Sequence, residues 1–247
     1  MKLPKVLEHE PLVDAVFEVR MGGNPQMADL LPGALFSLLA PKPKIQRLPA
    51  AEIPQPIRGN DPNLIFTPVI RLDWGEFTIS FGDRNFVIAC KLPYPKWSNF
   101  KEAILKIVEM VDQVGIPGPV ERYSIKYVNL IQGPTLADQI SKINLTVRVG
   151  EVDAKDDHLS VQVHRREGDT LHIISVVTGA RGKLANGEIV FGAVVDVDSI
   201  RATSFSDFGS FAAKLEPAVE TLRQANKLKF FNCLTEETIS EMGPKYD

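Results

Sequence analysis

The chain has 247 residues, 44% of them hydrophobic, and 28 Lys+Arg against 31 Asp+Glu give a formal charge of −3. That apolar content excludes a disordered chain, and the 24% of charged residues excludes a membrane bundle. The acidic balance argues against a duplex-DNA binder, which needs a basic face to meet the phosphates.

The opening residues, MKLPKVLEHEP, lack the apolar core of a signal peptide, and no window holds about 18 uninterrupted apolar residues. The expectation is a cytoplasmic protein with no membrane partner. Leu12 to Met21 alternates Val13, Ala15, Phe17, Val19 and Met21 with Asp14, Glu18 and Arg20, the period of a half-buried strand. Nine of the 18 prolines then fall between Pro25 and Pro68. Proline lacks a backbone donor and bars the α region to its predecessor, so regular elements there must be short. One short helix fits at Gly33–Ala40, and the rest is expected to run as loop or polyproline.

Three short strands follow at Val69–Trp74, Phe77–Phe81 and Phe86–Lys91, joined by Gly75 and by Gly82-Asp83-Arg84-Asn85 turns. A helix with Asn99 as N-cap and Glu102 as capping-box partner presents Phe100, Ile104, Ile107, Val108 and Val111 on one face. Gly115 and the prolines after it end that helix. The strand Glu121–Ile131 places Tyr123, Ile125, Tyr127 and Asn129 on one side and Arg122, Ser124, Lys126 and Val128 on the other.

The second half repeats the grammar, with strands at Asn144–Val149, His158–Arg165, Thr170–Val177 and Glu188–Val197. Gly168-Asp169 makes a tight turn and Thr178–Gly187 a wider one, with Asn186-Gly187 as its positive-φ pair. Phe208, Phe211, Leu215, Val219 and Leu222 mark a helix that Pro217 should kink or break near Glu216. A last short helix is capped by Thr235, with Leu234 and Ile239 as its hydrophobic staple.

The pattern predicts an α+β fold of two similar halves, each an antiparallel meander covered by a helix. The halves are residues 1–133, with the proline-rich insertion at 25–68, and 134–247, and they form either two domains or one continuous domain.

Chemistry is less legible. Asp196 and Asp198 point to one strand face and could share a cation, which would make the chain a metal-dependent hydrolase. His158 and His164 also share a face but lie roughly 20 Å apart, too far for one metal ion. The loop Gly179-Ala-Arg-Gly-Lys183 resembles a phosphate loop, but position 184 is leucine and no helix follows. Cys90 and Cys233 sit in apolar surroundings and read as buried thiols. No catalytic triad, metal or cofactor signature assembles. Same-face ionic pairs inside apolar strands, Glu18 with Arg20, Arg71 with Asp73 and Arg122 with Lys126, carry more weight. If they line one concavity, Arg20, Arg71, Arg122, Lys126, Tyr127 and Asn129 would take an anionic small molecule or nucleotide, or an acidic partner segment. If they face solvent, they are ordinary polar sheet faces.

Four segments together resemble a known family. PLVDAVFEVR (Pro11–Arg20), YPKWSNF (Tyr94–Phe100), ERYSIKYVNLI (Glu121–Ile131) and FFNCLTEETISEMG (Phe230–Gly243) resemble a sporadically distributed prokaryotic family of about this length whose function is uncharacterised. Its signature is a PLVE-x-x-F-E-x-R start, a Y-x-x-W-x-x-F segment entering a helix and an R-Y-x-x-R-Y-x-N-x-I strand. Pro11, Glu18, Arg20, Tyr94, Trp97, Arg122, Tyr123, Tyr127 and Asn129 match, and Lys126 departs from the family's arginine. The resemblance implies no reaction and no cofactor. Its patchy distribution implies an accessory or defence-associated gene. The expectation is a non-enzymatic binding protein acting with a protein partner or as a homo-oligomer, with the anion sensor and the metal-dependent hydrolase as alternatives.

Overall fold

The computed structural model describes residues 2–23, 26–115, 118–183 and 189–246. In chain order the elements are β1 (Val6–Leu7), β2 (Leu12–Met21), α1 (Met27–Leu38), β3 (Lys44–Arg47), a 3-10 turn (Pro49–Glu52), α2 (Gln55–Arg58), β4 (Ile70–Trp74), β5 (Phe77–Phe81), β6 (Asn85–Cys90) and α3 (Lys96–Val114). There follow β7 (Val120–Gln132), α4 (Leu136–Ser141), β8 (Arg148–Val149), β9 (Val152–Asp153), β10 (Ser160–Glu167), β11 (Thr170–Lys183), β12 (Ile189–Phe205), α5 (Phe208–Asn232), α6 (Glu236–Glu241) and β13 (Pro244–Lys245). Among the described residues, nine strands form one sheet in the order β10-β11-β12-β7-β2-β6-β5-β4-β3, and β1–β13 and β8–β9 form two small ribbons. The pairs β2–β6, β3–β4, β4–β5, β5–β6 and β10–β11 are antiparallel, and the fold is α+β as the patterning predicts.

The chain divides into two compact units built from interleaved segments. The first is Met1–Asp14, Lys126–Ser199 and Leu222–Asp247, and the second is Ala15–Ile125 and Ile200–Thr221. Residue 133 lies inside the first unit.

In the second unit the alternation of β2 buries Ala15, Phe17, Val19 and Met21 completely or nearly so. α3 and the start of α5 close over that face. Phe77 stacks on Phe100 at 6.2 Å between ring centroids, Phe86 meets Phe208 at 6.4 Å, and Tyr123 meets Phe211 at 5.5 Å. In the first unit Val195, Val197, Ile131, Phe230, Phe231, Leu234 and Ile239 form a second buried cluster. Thr235 caps α6 by accepting from the Thr238 backbone N–H, and Leu234 and Ile239 both lie in that core, as the staple requires.

Several expectations are corrected. The helix in the proline-rich stretch is α1, which starts at Met27 and runs through Pro32 rather than starting after it. Met27, Leu31 and Leu35 recur every four residues and are fully buried, and burying that stripe outweighs the one backbone bond that Pro32 removes. Asn99 is not a cap: α3 begins at Lys96, with Pro95 before it, so Trp97 and Asn99 lie within the first turn. Pro217 does not break α5, whose Phe208, Phe211, Leu215, Val219 and Leu222 are all buried along one continuous helix. No strand spans Asn144–Val149. The Asn144 amide donates instead to the Leu234 carbonyl at 2.6 Å, and only Arg148–Val149 is extended. β11 runs through Thr178–Lys183, where a turn was expected, with Gly179 at a positive φ of 71°. Asn186-Gly187 lies outside the described residues. β12 continues eight residues past Val197 to Phe205.

Candidate functional site

The second unit presents a polar sheet face opposite its helices. Because Phe17 and Val19 point into the core, Glu18 and Arg20 must point the other way. Asn85 on β6 stands opposite Arg20, and Val87 opposite Glu18. Three donors meet the Glu18 carboxylate. Arg20 Nε donates to Oε2 at 2.9 Å, Arg122 Nη2 donates to the same oxygen at 3.3 Å, and the fully buried Asn85 donates through Nδ2 to Oε1 at 2.8 Å. The side chains of Arg20 and Arg122 are 27% and 28% exposed against 15% for Glu18, so both arginines are part-exposed and the carboxylate between them is less so. Arg122 Nε is buried and has no hydrogen-bond partner among the described residues. Two guanidinium charges on one carboxylate leave the cluster with a surplus positive charge.

Phe66, from the proline-rich stretch, lies under this cluster. The Arg20 guanidinium sits 4.0 Å from its ring centroid, and that of Arg84 lies at 5.7 Å. Arg84 also donates to the Met21 carbonyl at 3.1 Å and pairs with Glu121 at 3.0 Å. The stretch is fastened further back by Arg58, which donates through Nε and Nη2 to the two oxygens of Asp83 at 3.1 and 2.9 Å. A cleft of about 370 Å³ lies beside this anchor, lined by Gln55, Pro56, Gly59, Asn60, Asp83 and Arg84 among others.

Arg71 does not join Glu18. It stands opposite Ser80, to whose hydroxyl it donates at 3.3 Å; Ser80 stands opposite Val87, and Val87 opposite Glu18. Three inter-strand steps of about 4.8 Å put the Arg71 backbone roughly 14 Å from that of Glu18.

The other predicted residues belong to the first unit. Lys126 Nζ lies 2.7 Å from Asp196 Oδ2. Burial acts to lower the Lys126 pKa, but the Asp196 hydrogen bond and the charges of Asp196, Asp198 and Asp14 outweigh it and raise it above the ordinary lysine value. Asp196 is therefore already engaged by a cation, and among the described residues no cluster of three or more histidine, cysteine, aspartate or glutamate side chains is arranged to hold a metal ion. Tyr127 and Asn129 point away from Lys126 and are buried; Arg223 Nε donates to the Tyr127 hydroxyl at 3.1 Å.

Sequence reasoning missed one buried constellation. His172 Nδ1 lies 2.8 Å from Ser199 Oγ, Asn226 donates to that oxygen at 3.0 Å, and Glu167 lies 4.0 Å from His172 Nε2. The residue types are those of acyl transfer, but Ser199 is 0% and His172 1% exposed, so both side chains lie inside the core. Burial, with the Lys229 charge, holds the His172 imidazole below its ordinary value. The Cys233 thiol is pushed up to about 11 by burial.

No protein-family model matches the chain, and no curated protein matches it. No described helix is long and apolar enough to cross a membrane.

Proposed function

We propose that this chain is a non-enzymatic binding protein that acts by docking a protein partner on the polar sheet face of its second unit. The observation that carries the reading is the asymmetry of that sheet. One face is closed by α3 and α5, while the other raises Arg20 and Arg122 from adjoining strands over a single carboxylate. Arginines fixed in this way lose little conformational entropy when a partner arrives, which favours recognition over mere solubility. A photo-cross-linking residue at Gln46, which is exposed and stands opposite Arg71 on the same face, should capture a discrete partner in native cells. The same residue at Glu109, on the exposed side of α3, should not. Equal capture from both positions, or turnover of a substrate by the purified protein, would overturn the reading.

A second reading is a sensor of a small anionic molecule, favoured by the cleft of about 370 Å³ beside Arg84. A bound ligand at a hundredfold excess over its dissociation constant should stabilise the protein by about 2.7 kcal/mol, and flat thermal-shift profiles across nucleotides would count against it.

A further inference from the structure

We infer that Arg20, Arg122 and Asn85 form a receptor for a carboxylate of an acidic partner segment, and that Glu18 is its internal occupant. The inference rests on the docking face proposed above and names the chemistry it recognises.

Three observations carry it. The first is shape. Two guanidinium donors converge on one oxygen of Glu18 and the Asn85 amide on the other, which is how donors surround a planar two-oxygen group. The second is charge. Arg20 and Arg122 together carry one more positive charge than Glu18 neutralises, and Phe66 under Arg20 adds no anion. The third is incomplete satisfaction. The Arg122 contact to Glu18 is long, 3.3 Å, and its buried Nε has no acceptor among the described residues. A buried donor without a partner is disfavoured, so Glu18 satisfies Arg122 incompletely and holds it less firmly than a fully matched carboxylate would. Glu18 is tethered to the middle of a core strand, which limits the directions from which its carboxylate can meet the arginines. A carboxylate arriving from solvent can approach the part-exposed guanidinium groups and compete with Glu18 for them.

The competing explanation is that Glu18 merely neutralises two arginines in a sheet. Fluorescence anisotropy with a labelled eight-residue poly-glutamate peptide separates the two. Glu18→Gln keeps an amide oxygen that can accept from Asn85 and removes the competing charge. It should tighten peptide binding roughly tenfold, whereas Arg122→Gln should weaken it by about the same factor. Arg47→Gln, a cation on the exposed edge strand, should leave it unchanged. The inference is overturned if Glu18→Gln folds, as judged by circular dichroism, and binds the peptide no better than the native chain. It is also overturned if Arg47→Gln weakens binding as much as Arg122→Gln, or if inorganic phosphate binds the native chain in preference to the peptide. If Gln46 cross-linking to the cellular partner persists in Arg122→Gln, the carboxylate receptor is wrong while the docking face stands; if no cross-link forms in the native chain, the docking face itself is wrong.

Discussion

Asp83→Ala isolates the anchor of the proline-rich stretch. Arg58 is 7% and Asp83 4% exposed, and two charge-assisted hydrogen bonds of 3.1 and 2.9 Å join them. Truncating Asp83 leaves the guanidinium buried, with the Ile53 carbonyl and, at 3.5 Å, the Ala50 carbonyl as its remaining acceptors. Breaking one side of a buried pair costs about 3–5 kcal/mol, and the surviving carbonyl contacts place this case near the lower end, about 3 kcal/mol. For a chain of this size each kcal/mol is worth about 2–4 °C, so the melting temperature should fall by roughly 6–12 °C. Urea unfolding followed by circular dichroism measures the loss directly. Limited proteolysis supplies a second reading, because freeing Arg58 should expose the backbone near residues 50–60 to cleavage. Arg58→Met combined with Asp83→Leu removes both charges and should recover to within about 1 kcal/mol of the native chain. A single Asp83→Ala variant within about 1 kcal/mol of native, with no faster cleavage, would refute the claim that this pair holds the stretch in place.

The remaining predictions use the first unit. Because burial holds His172 below the usual histidine range in the folded chain, the unfolded chain takes up a proton first as pH falls. Stability should therefore be fully present above pH 6.5 and decline below it, and His172→Gln should show a shallower decline in urea midpoint between pH 7.5 and 5.5. A Cβ at Gly192 would collide with the Ile131 carbonyl oxygen and lie 2.9 Å from its carbon, both backbone atoms that cannot step aside. Gly192→Ala should lose about 2 kcal/mol or more in urea unfolding; Gly182→Ala meets side-chain tips, Leu130 at 2.9 Å and Val190 at 3.5 Å, and should lose clearly less. With its thiol pushed up to about 11, the half-buried Cys233 should react slowly with a disulfide reagent at pH 8 until the chain is unfolded by denaturant, and rapid labelling of the native protein at this position would contradict that raised value.

Where hydrophobic period and local chemistry agree, the sequence is readable. β2 begins and ends at the residues its alternation marks, and the two sides of β7 separate as the pattern requires, with Tyr123, Ile125, Tyr127 and Asn129 buried. The errors fall where a residue with a strong local preference yields to packing. Pro32 and Pro217 sit inside helices because the stripes running past them are buried, and Asn99 loses its capping role because the helix starts earlier, at Lys96. The candidate site was half visible. Glu18 and Arg20 lie two residues apart and share a face by arithmetic alone. Their partners Asn85 and Arg122 lie 67 and 104 residues from Glu18, and no local pattern announces a meeting over such separations. The same holds for Arg58 and Asp83, 25 residues apart, whose pairing depends on how the intervening chain folds back.

Between β3 and β4, side chains fasten the proline-rich stretch to the sheet at two points, the Arg58–Asp83 pair and the seat of Arg20 and Arg84 on Phe66. A segment pinned at its middle and near its end can vary in length and composition before the first pin without disturbing the strands beneath, since lengthening a surface loop costs little. Residues 48–57, between β3 and the first pin, are thus a natural place for divergence. The arginine cluster could stay fixed while its rim is redrawn, much as a common handle accepts different blades.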